Sequence, residues 1–173
     1  LTELGVDFFP AYVWGRAAAL GTPPAELVAA TFGVFDPGLI AVVYEAGAAG
    51  ATRDEILAAR AAGGAASVAS VATDDECTAL AEPLLGVLGG LDALGRPLFA
   101  ALRSLPLPTA PSGRLWRAAE LVREHRGDSH LAALVGAGLD AAEANVLTER
   151  WLGFALGEYS ATRGFGPDGL DAA

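Results

Sequence analysis

The sequence contains no methionine, no lysine and a single cysteine among its 173 residues. With Cys77 alone the chain cannot form an internal disulfide, and no charged segment followed by an apolar run and a cleavage site opens it. We therefore expect a protein of the reducing cytoplasm. Because no initiator methionine is present, we also expect a fragment or trimmed form of a longer chain.

Positive charge is scarce as well, because 11 basic residues stand against 21 acidic ones and the net charge is −10. Nucleic acids and anionic membranes attract basic surfaces. We expect no nucleic-acid partner for this segment and no membrane. The mean hydropathy is +0.40, yet the longest apolar runs reach about half of the ~20 residues that a membrane-spanning helix needs.

Alanine is abundant, with 38 residues, and it is the residue that most favours helix. Alternation of apolar and polar residues over a useful strand length does not occur. The sequence therefore predicts an all-α fold, a compact bundle-like domain of about eight or nine helices with no sheet. We assign residues 1–163 to this single domain and residues 164–173 to a tail.

Capping signals predict where the helices begin and end. Three pairs match the capping box, in which two side chains satisfy free backbone amides at a helix start: Thr52 with Glu55, Thr73 with Glu76, and Asp140 with Glu143. They predict helices over about residues 53–71, 74–90 and 140–161. The other predicted helices run over residues 7–20 and 97–104 or start at Thr22, Asp36, Ser112 and Asp128, with Gly127 ending the one that starts at Ser112.

Both histidines of the chain fall in the stretch REHRGDSH, from Arg123 to His130, which we place across a junction of two helices at Gly127. Two imidazoles and the carboxylate of Asp128 would supply two nitrogens and one oxygen to a divalent metal and leave positions open for water or substrate. The stretch therefore gives a candidate metal site of His125, Asp128 and His130.

Two other interpretations of the same stretch stay open. In the first, Gly127 and Asp128 are helix caps and His125 is a hydrogen-bonded core residue. In the second, His125 or His130 contacts a ligand without any metal. The spacing H-R-G-D-x-H matches no established metal-ligand motif, so the sequence does not choose among the three.

Arg16 lies on or beside the apolar face of the first helix, close to Tyr12. A guanidinium in an apolar setting needs a carboxylate or another anion, because an unpaired buried charge is costly. Arg16 would therefore anchor the carboxylate or phosphate of a ligand, or else form an internal ion pair with Glu45, Asp36 or Glu124, or extend to solvent.

The predicted last helix aligns Leu147, Trp151, Phe154 and Glu158 on one stripe. A stripe of this kind is typical of a core-facing surface. Glu158 would face a pocket or simply be solvated.

The segment LWRAAELVREHRGDSHLAALVGAGLDAAEANVL resembles the signature region of an uncharacterised actinobacterial family of helical proteins, usually described as helix-turn-helix proteins. The stretch GRAAALG, Gly15 to Gly21, is similar to a second motif of that family. The resemblance implies a helical domain joined to a winged helix, an arrangement that ligand-responsive regulators use but that an enzyme could also have. The closing RGFGPDGL is similar to the opening of that winged helix, and we expect the rest of the winged helix to be missing from this sequence.

Two functions are consistent with these observations. In the first, the chain binds a small anionic or aromatic molecule in a cleft lined by Tyr12, Arg16, Trp116, His125, His130 and Trp151, as the sensing part of a regulator-like protein. In the second, it is a metal-dependent or acid–base enzyme of a natural-product pathway that uses His125, Asp128 and His130. The helices rich in small residues also leave a homodimer open.

Overall fold

The computed structural model describes residues 4–166, which form eight α-helices and no strand. The all-α fold class that the sequence predicts is therefore confirmed over these residues. The helices are α1 (Phe8–Ala17), α2 (Ala25–Phe32), α3 (Pro37–Gly50), α4 (Arg53–Ala69), α5 (Asp74–Gly89), α6 (Pro97–Ser104), α7 (Pro111–Gly136) and α8 (Ala141–Leu152), with short 3-10 helices at Ala18–Leu20 and Ser160–Arg163.

Helix α7 is the central element, and it packs against α4, α5 and α6. One hydrophobic core lies among α1, α2, α3 and the start of α4 around Trp14, Ile40 and Ile56. A second core joins α5, α6 and α7 around Phe99 and Leu121. The two cores adjoin at the 3-10 helix Ala18–Leu20 and at the start of α6, where Ala18 and Leu98 belong to the first and Ala19 and Phe99 to the second.

The three capping boxes form as predicted. In each of them the side chain of the capping residue accepts a hydrogen bond from the backbone nitrogen of the glutamate three residues later. The glutamate side chain accepts one from the backbone nitrogen of the capping residue. Asp36 caps α3 through the backbone nitrogen of Leu39, at 2.8 Å. These helix starts were predictable because both partners of each hydrogen bond lie within four residues.

The predicted break at Gly127 is wrong, because α7 continues from Pro111 to Gly136 without interruption. Gly127 keeps a negative φ angle. Asp128 does not cap a new helix, since its carboxylate accepts from the backbone nitrogen of Phe99 on α6 at 2.9 Å. A glycine inside a helix costs about 1 kcal/mol relative to alanine, and the packing of α7 against its neighbours outweighs that cost.

The end of the last helix also differs from the prediction. Helix α8 stops at Leu152, where Gly153 adopts the left-handed conformation at φ 76°. Trp151, on the stripe predicted to face the core, is 84% exposed, and Leu147, Phe154 and Glu158 are exposed too. The stripe prediction is wrong for Leu147 and Trp151 because α8 buries a different face, which carries Ala144, Asn145 and Glu149, and the helix ends before Phe154. The exposed Glu158 corresponds to the solvated alternative.

Two further starts lie a few residues from their predicted positions. The cap of α2 is Pro24 in place of Thr22, and the cap of α7 is Ala110 in place of Ser112. Of the predicted tail, residues 167–173 lie outside the described residues.

Candidate functional site

Two buried carboxylates of α7, Glu124 and Glu120, are each shared by two arginines. The guanidinium of Arg16 forms a bidentate ion pair with Glu124, in which Nε donates to Oε1 at 3.1 Å and Nη2 donates to Oε2 at 2.7 Å. Arg123 donates to the same Oε1. Burial disfavours the charge on Glu124, but Arg16 and Arg123 outweigh it and lower the pKa of this carboxyl.

The Arg16 contact corresponds to one of the interpretations that the sequence left open, the internal ion pair with Glu124. Its third donor, Nη1, bonds the hydroxyl of Tyr12 at 3.0 Å, and the guanidinium carbon lies 4.4 Å from the centre of the Phe32 ring. Burial would lower the pKa of Arg16, yet the bonds and charge of Glu124 raise it. The guanidinium is therefore fixed in position and charged.

Glu120 repeats the arrangement about one turn earlier on α7. Arg60 of α4 donates to Oε1, and Nε of Arg117 lies 3.5 Å from Oε2. Each carboxylate thus carries one negative charge against two positive ones. The Nε atoms of Arg117 and Arg123 are both buried without a hydrogen-bond partner among the described residues. Each cluster therefore holds one surplus positive charge on an incompletely bonded guanidinium.

A cleft of about 310 Å³ opens beside the Glu124 cluster, bounded by α1, α2, α7, α8 and the 3-10 helix at Ser160–Arg163. Four of the eleven arginines line it: Arg16, Arg123, Arg126 and Arg163. The acidic groups in or directly behind its wall are Glu124 and Asp128. In a chain with a net charge of −10, this arginine cleft is locally cationic.

Arg163 reaches the arginine cleft from the segment after α8, residues 153–164, which we call the strap. Its guanidinium carbon lies 4.3 Å from the centre of the Phe35 ring, and it donates to the hydroxyl of Tyr159. The backbone oxygen of Arg163 accepts from Asp36 at 2.8 Å, which joins the strap to the start of α3. Arg163 and Arg126 form no ion pair with any described residue, so both have donors left for a ligand.

The strap is held by Glu149, a fully buried carboxylate of α8. One of its oxygens accepts from the backbone nitrogens of Tyr159 and Ser160, at 2.8 and 2.7 Å, and from the hydroxyl of Ser160 at 2.8 Å. The other accepts from the nitrogen of Gly157 at 3.0 Å. Burial opposes ionisation, but these bonds outweigh it and lower the pKa of Glu149.

Asp128 lies at the floor of the arginine cleft and is almost fully buried. Burial raises the pKa of its carboxyl, the bond from Phe99 opposes that rise, and the nearby charge of Glu124 adds to it. The Asp128 side chain therefore bonds the first turn of α6, and it does not cap a helix that begins at Asp128 itself.

Of the residues predicted to line a cleft, Tyr12, Arg16 and His130 do so. His125 lies elsewhere, edge-on to the Phe99 ring with 5.0 Å between ring centres. Trp116 packs against Gly64 of α4, and Trp151 points into solvent. The helix is continuous through this region, so the two histidines, five positions apart, lie on different faces of it.

The predicted metal site does not assemble in the described part of the chain, where no three His, Cys, Asp or Glu side chains are grouped so that they could hold a metal ion. Asp128 is bonded to a backbone amide and His130 is exposed. Sequence reasoning missed Arg123, Arg126 and Arg163. Arg123 and Arg126 lie inside REHRGDSH, which was interpreted as a source of histidine and aspartate metal ligands. No sequence motif indicates a role for Arg163.

Helices α7 and α8 meet at a sharp corner. Four residues, 137–140, separate them, Gly138 takes a positive φ of 73°, and the chain bends by 107° between the two helices. Two helices at roughly 90–120° joined by a short turn that contains glycine make a helix-turn-helix unit. Within residues 4–166 no single helix is long and apolar enough to cross a membrane, and this bent pair meets that criterion only when both helices are counted together.

Neither a search of curated proteins nor a search of solved structures finds a match to the chain. The sequence model of a family does match, over residues 1–173, and that family is described as a helix-turn-helix family. The chain belongs to this helix-turn-helix family.

Proposed function

We propose that the chain binds a small anionic molecule, bearing phosphate or carboxylate groups, in the arginine cleft. The observation that carries the proposal is the gathering of four of the eleven arginines around one cavity of an acidic protein. Guanidinium groups present paired donors that match carboxylate and phosphate oxygens. The volume of about 310 Å³ suits a small molecule and is too small for a macromolecular segment of any length.

The contacts inside the cleft favour an anion over an aromatic ligand. The faces of Tyr12, Phe32, Phe35 and Tyr159 already lie against the guanidinium groups of Arg16, Arg123 or Arg163, at 4.3–5.8 Å from ring centre to guanidinium carbon. These rings hold the arginines in place rather than offering free stacking surfaces. Among the groups that remain for a ligand are the donors of Arg126 and Arg163 and the exposed His130.

We further propose that this binding serves sensing in a regulator-like protein. The arginine cleft is lined from both helices of the helix-turn-helix corner, by Arg123 and Arg126 of α7 and by Asn145 and Thr148 of α8. A bound anion would contact both helices, and its binding free energy would favour one angle between them. Membership of the helix-turn-helix family supports this role.

Calorimetric titration of the whole chain with inorganic phosphate and with succinate, at low ionic strength, tests the proposal. The informative variant is Arg126→Gln, and its matched control is Arg114→Gln, which removes the same charge from an ion pair with Glu82 on α5. We expect Arg126→Gln to weaken binding about tenfold or more, because a bond to a charged group contributes about 1.5–3 kcal/mol. Arg114→Gln should leave it within about twofold.

Two results would contradict the proposal. One is the absence of saturable binding of either anion to the unmodified chain. The other is an equal loss in both variants, which would mean that the anions respond to net charge alone and not to the cleft.

A further inference from the structure

A second cavity, separate from the arginine cleft, lies between α5, α6 and α7. Its volume is about 200 Å³. Its wall is aliphatic and consists mainly of leucines: Leu85, Leu88, Leu102, Leu105, Leu107 and Leu121. Two arginines, Arg103 and Arg117, are the charged residues that line it.

Arg117 is the surplus cation of the Glu120 cluster, and its partners are poor. Only 8% of the residue is exposed. Its Nη1 reaches the backbone oxygens of Leu102 and Pro106 at 3.5 and 3.4 Å, near the upper limit for a hydrogen bond. Nε lies 3.5 Å from Glu120 without forming a hydrogen bond, and Glu120 is also bonded by Arg60.

A buried guanidinium that lacks strong acceptors is costly, since burying a charge without compensation loses its hydration. Arg103, by contrast, is exposed at the rim of the cavity, where water can solvate its charge. It donates to the backbone oxygen of Leu91 at 2.7 Å and lies 4.8 Å from the centre of the Phe99 ring. Arg117 is therefore the group in this cavity that lacks a short hydrogen bond to a strong acceptor.

We propose that this leucine cavity binds an aliphatic carboxylate, with the carboxylate on Arg117 and the chain against the leucines. The carboxylate supplies the strong, short-range acceptor that Arg117 lacks, and the apolar wall excludes a phosphate or a polar dicarboxylate of the kind that suits the arginine cleft. At roughly 30 Å³ for each water-sized group, the volume accommodates a chain of about six carbons.

The leucine cavity is independent of the arginine cleft. Arg117 and Arg123 are six positions apart on α7, which places them roughly 120° apart around the helix axis. No residue lines both cavities. The inference therefore goes beyond the proposed function and does not depend on it.

The test is calorimetric titration of the whole chain with hexanoate, compared with hexanol, which has the same chain length and no charge. Gly89 of α5 lines the cavity with open space where a Cβ would lie, and Gly86 of the same helix has equal space but does not line it. Gly89→Leu should therefore obstruct the cavity, and Gly86→Leu is its matched control. Arg117→Gln removes the charge, and Arg126→Gln reports any binding in the arginine cleft instead.

We expect hexanoate to bind saturably and hexanol to bind at least about tenfold more weakly. Affinity should rise about fourfold for each methylene from butanoate to hexanoate and then level off as the cavity fills. Gly89→Leu and Arg117→Gln should each weaken hexanoate binding about tenfold or more, while Gly86→Leu and Arg126→Gln leave it unchanged.

The proposal is overturned if hexanoate does not bind in the millimolar range, if Gly86→Leu weakens binding as much as Gly89→Leu, or if Arg126→Gln abolishes it. Should Arg117→Gln fail to fold, the two glycine variants and the comparison with hexanol still decide the outcome.

Discussion

Two neighbouring glycines of α4 have opposite surroundings. A Cβ added at Gly64 would overlap the indole ring of Trp116 on α7, whereas a Cβ at Gly63 would meet no atom within 4 Å. Gly64 therefore allows α4 and α7 to approach closely, and Gly63 has no such role. Two glycines within an alanine-rich run indicate close helix contact, but which of the two makes it depends on the orientation of the helix.

We expect Gly64→Ala to lower the free energy of unfolding by about 1–3 kcal/mol, because the buried ring must move to make room. Gly63→Ala should raise it by about 0.5–1 kcal/mol, because alanine loses less entropy in a helix. Urea unfolding of both variants measures the difference. Equal effects would show that α4 and α7 are not in close contact at this point.

His125 contributes packing rather than ligand contact. It is half-buried, meets Phe99 edge-on, and lies outside the arginine cleft. His125→Ala should lower the free energy of unfolding by about 1–3 kcal/mol, through lost contacts around α6. Phosphate affinity should stay unchanged. Thermal melts with and without phosphate measure both quantities, and weaker binding with unchanged stability would contradict this assignment.

The strap shows how one side chain sets the course of a whole segment. Glu149 gathers three backbone amides and one hydroxyl from residues 157–160, and this arrangement presents Tyr159 and Arg163 to the arginine cleft. The glutamate lies in a helix, and its partners follow a glycine turn at Gly153. A prediction that extends the helical periodicity of α8 through this turn therefore assigns every later residue to the wrong position.

Glu149→Gln should loosen the strap, because an amide nitrogen cannot accept the bond from Gly157. We expect faster hydrogen exchange across residues 153–165 and weaker phosphate binding, with less change elsewhere. Glu158→Gln is the matched control, since the exposed Glu158 of the same strap bonds only the backbone of Ala155. If exchange in the strap is unchanged in Glu149→Gln, Glu149 does not hold it, whether or not phosphate binds.

The lowered pKa of Glu149 gives the direction of a pH dependence. The carboxyl binds its proton less readily in the folded chain than in the unfolded one, so it stabilises the fold at neutral pH. That stabilisation is lost as the pH falls through the lowered folded value. The protection factors of the strap amides, which correct for the intrinsic slowing of exchange in acid, should therefore fall as the pH falls, and they should respond less to acid in Glu149→Gln.

Family membership and charge point to different partners for the molecule as a whole. Helix-turn-helix units often place their second helix in the major groove of DNA. If α8 served as such a second helix, its first turn, which follows Asp140 and carries Glu143, would bring carboxylates to the DNA, and the chain has a net charge of −10. Carboxylates at that end would face phosphates and bases unfavourably.

We therefore expect this chain not to retard duplex DNA of mixed sequence in a mobility assay at physiological salt. Arg150 is the exposed basic residue of α8. Retardation that falls with salt and is lost in Arg150→Gln would contradict the expectation and would assign α8 a role in DNA binding.

The sequence by itself determined the helical class and the starts of α3, α4, α5 and α8. Helix propensity and helix capping depend on residues that are close together in the sequence, so the helices they favour can be predicted without knowing the fold. The sequence also placed Arg16 and Tyr12 together on one helix, since four positions make one turn.

Only the tertiary structure decided what the charged residues do. The pairing of Arg16 with Glu124 spans 108 positions of sequence, and Asp128 reaches the amide of Phe99 across 29. Pairing across such distances depends on how α1, α6 and α7 pack, and no local pattern records it. The burial of apolar faces, and not helix propensity, determines where helices meet. Because of this packing, α7 continues through Gly127, the two histidines lie on different faces of it, and Arg126 and Arg163 line the same cleft.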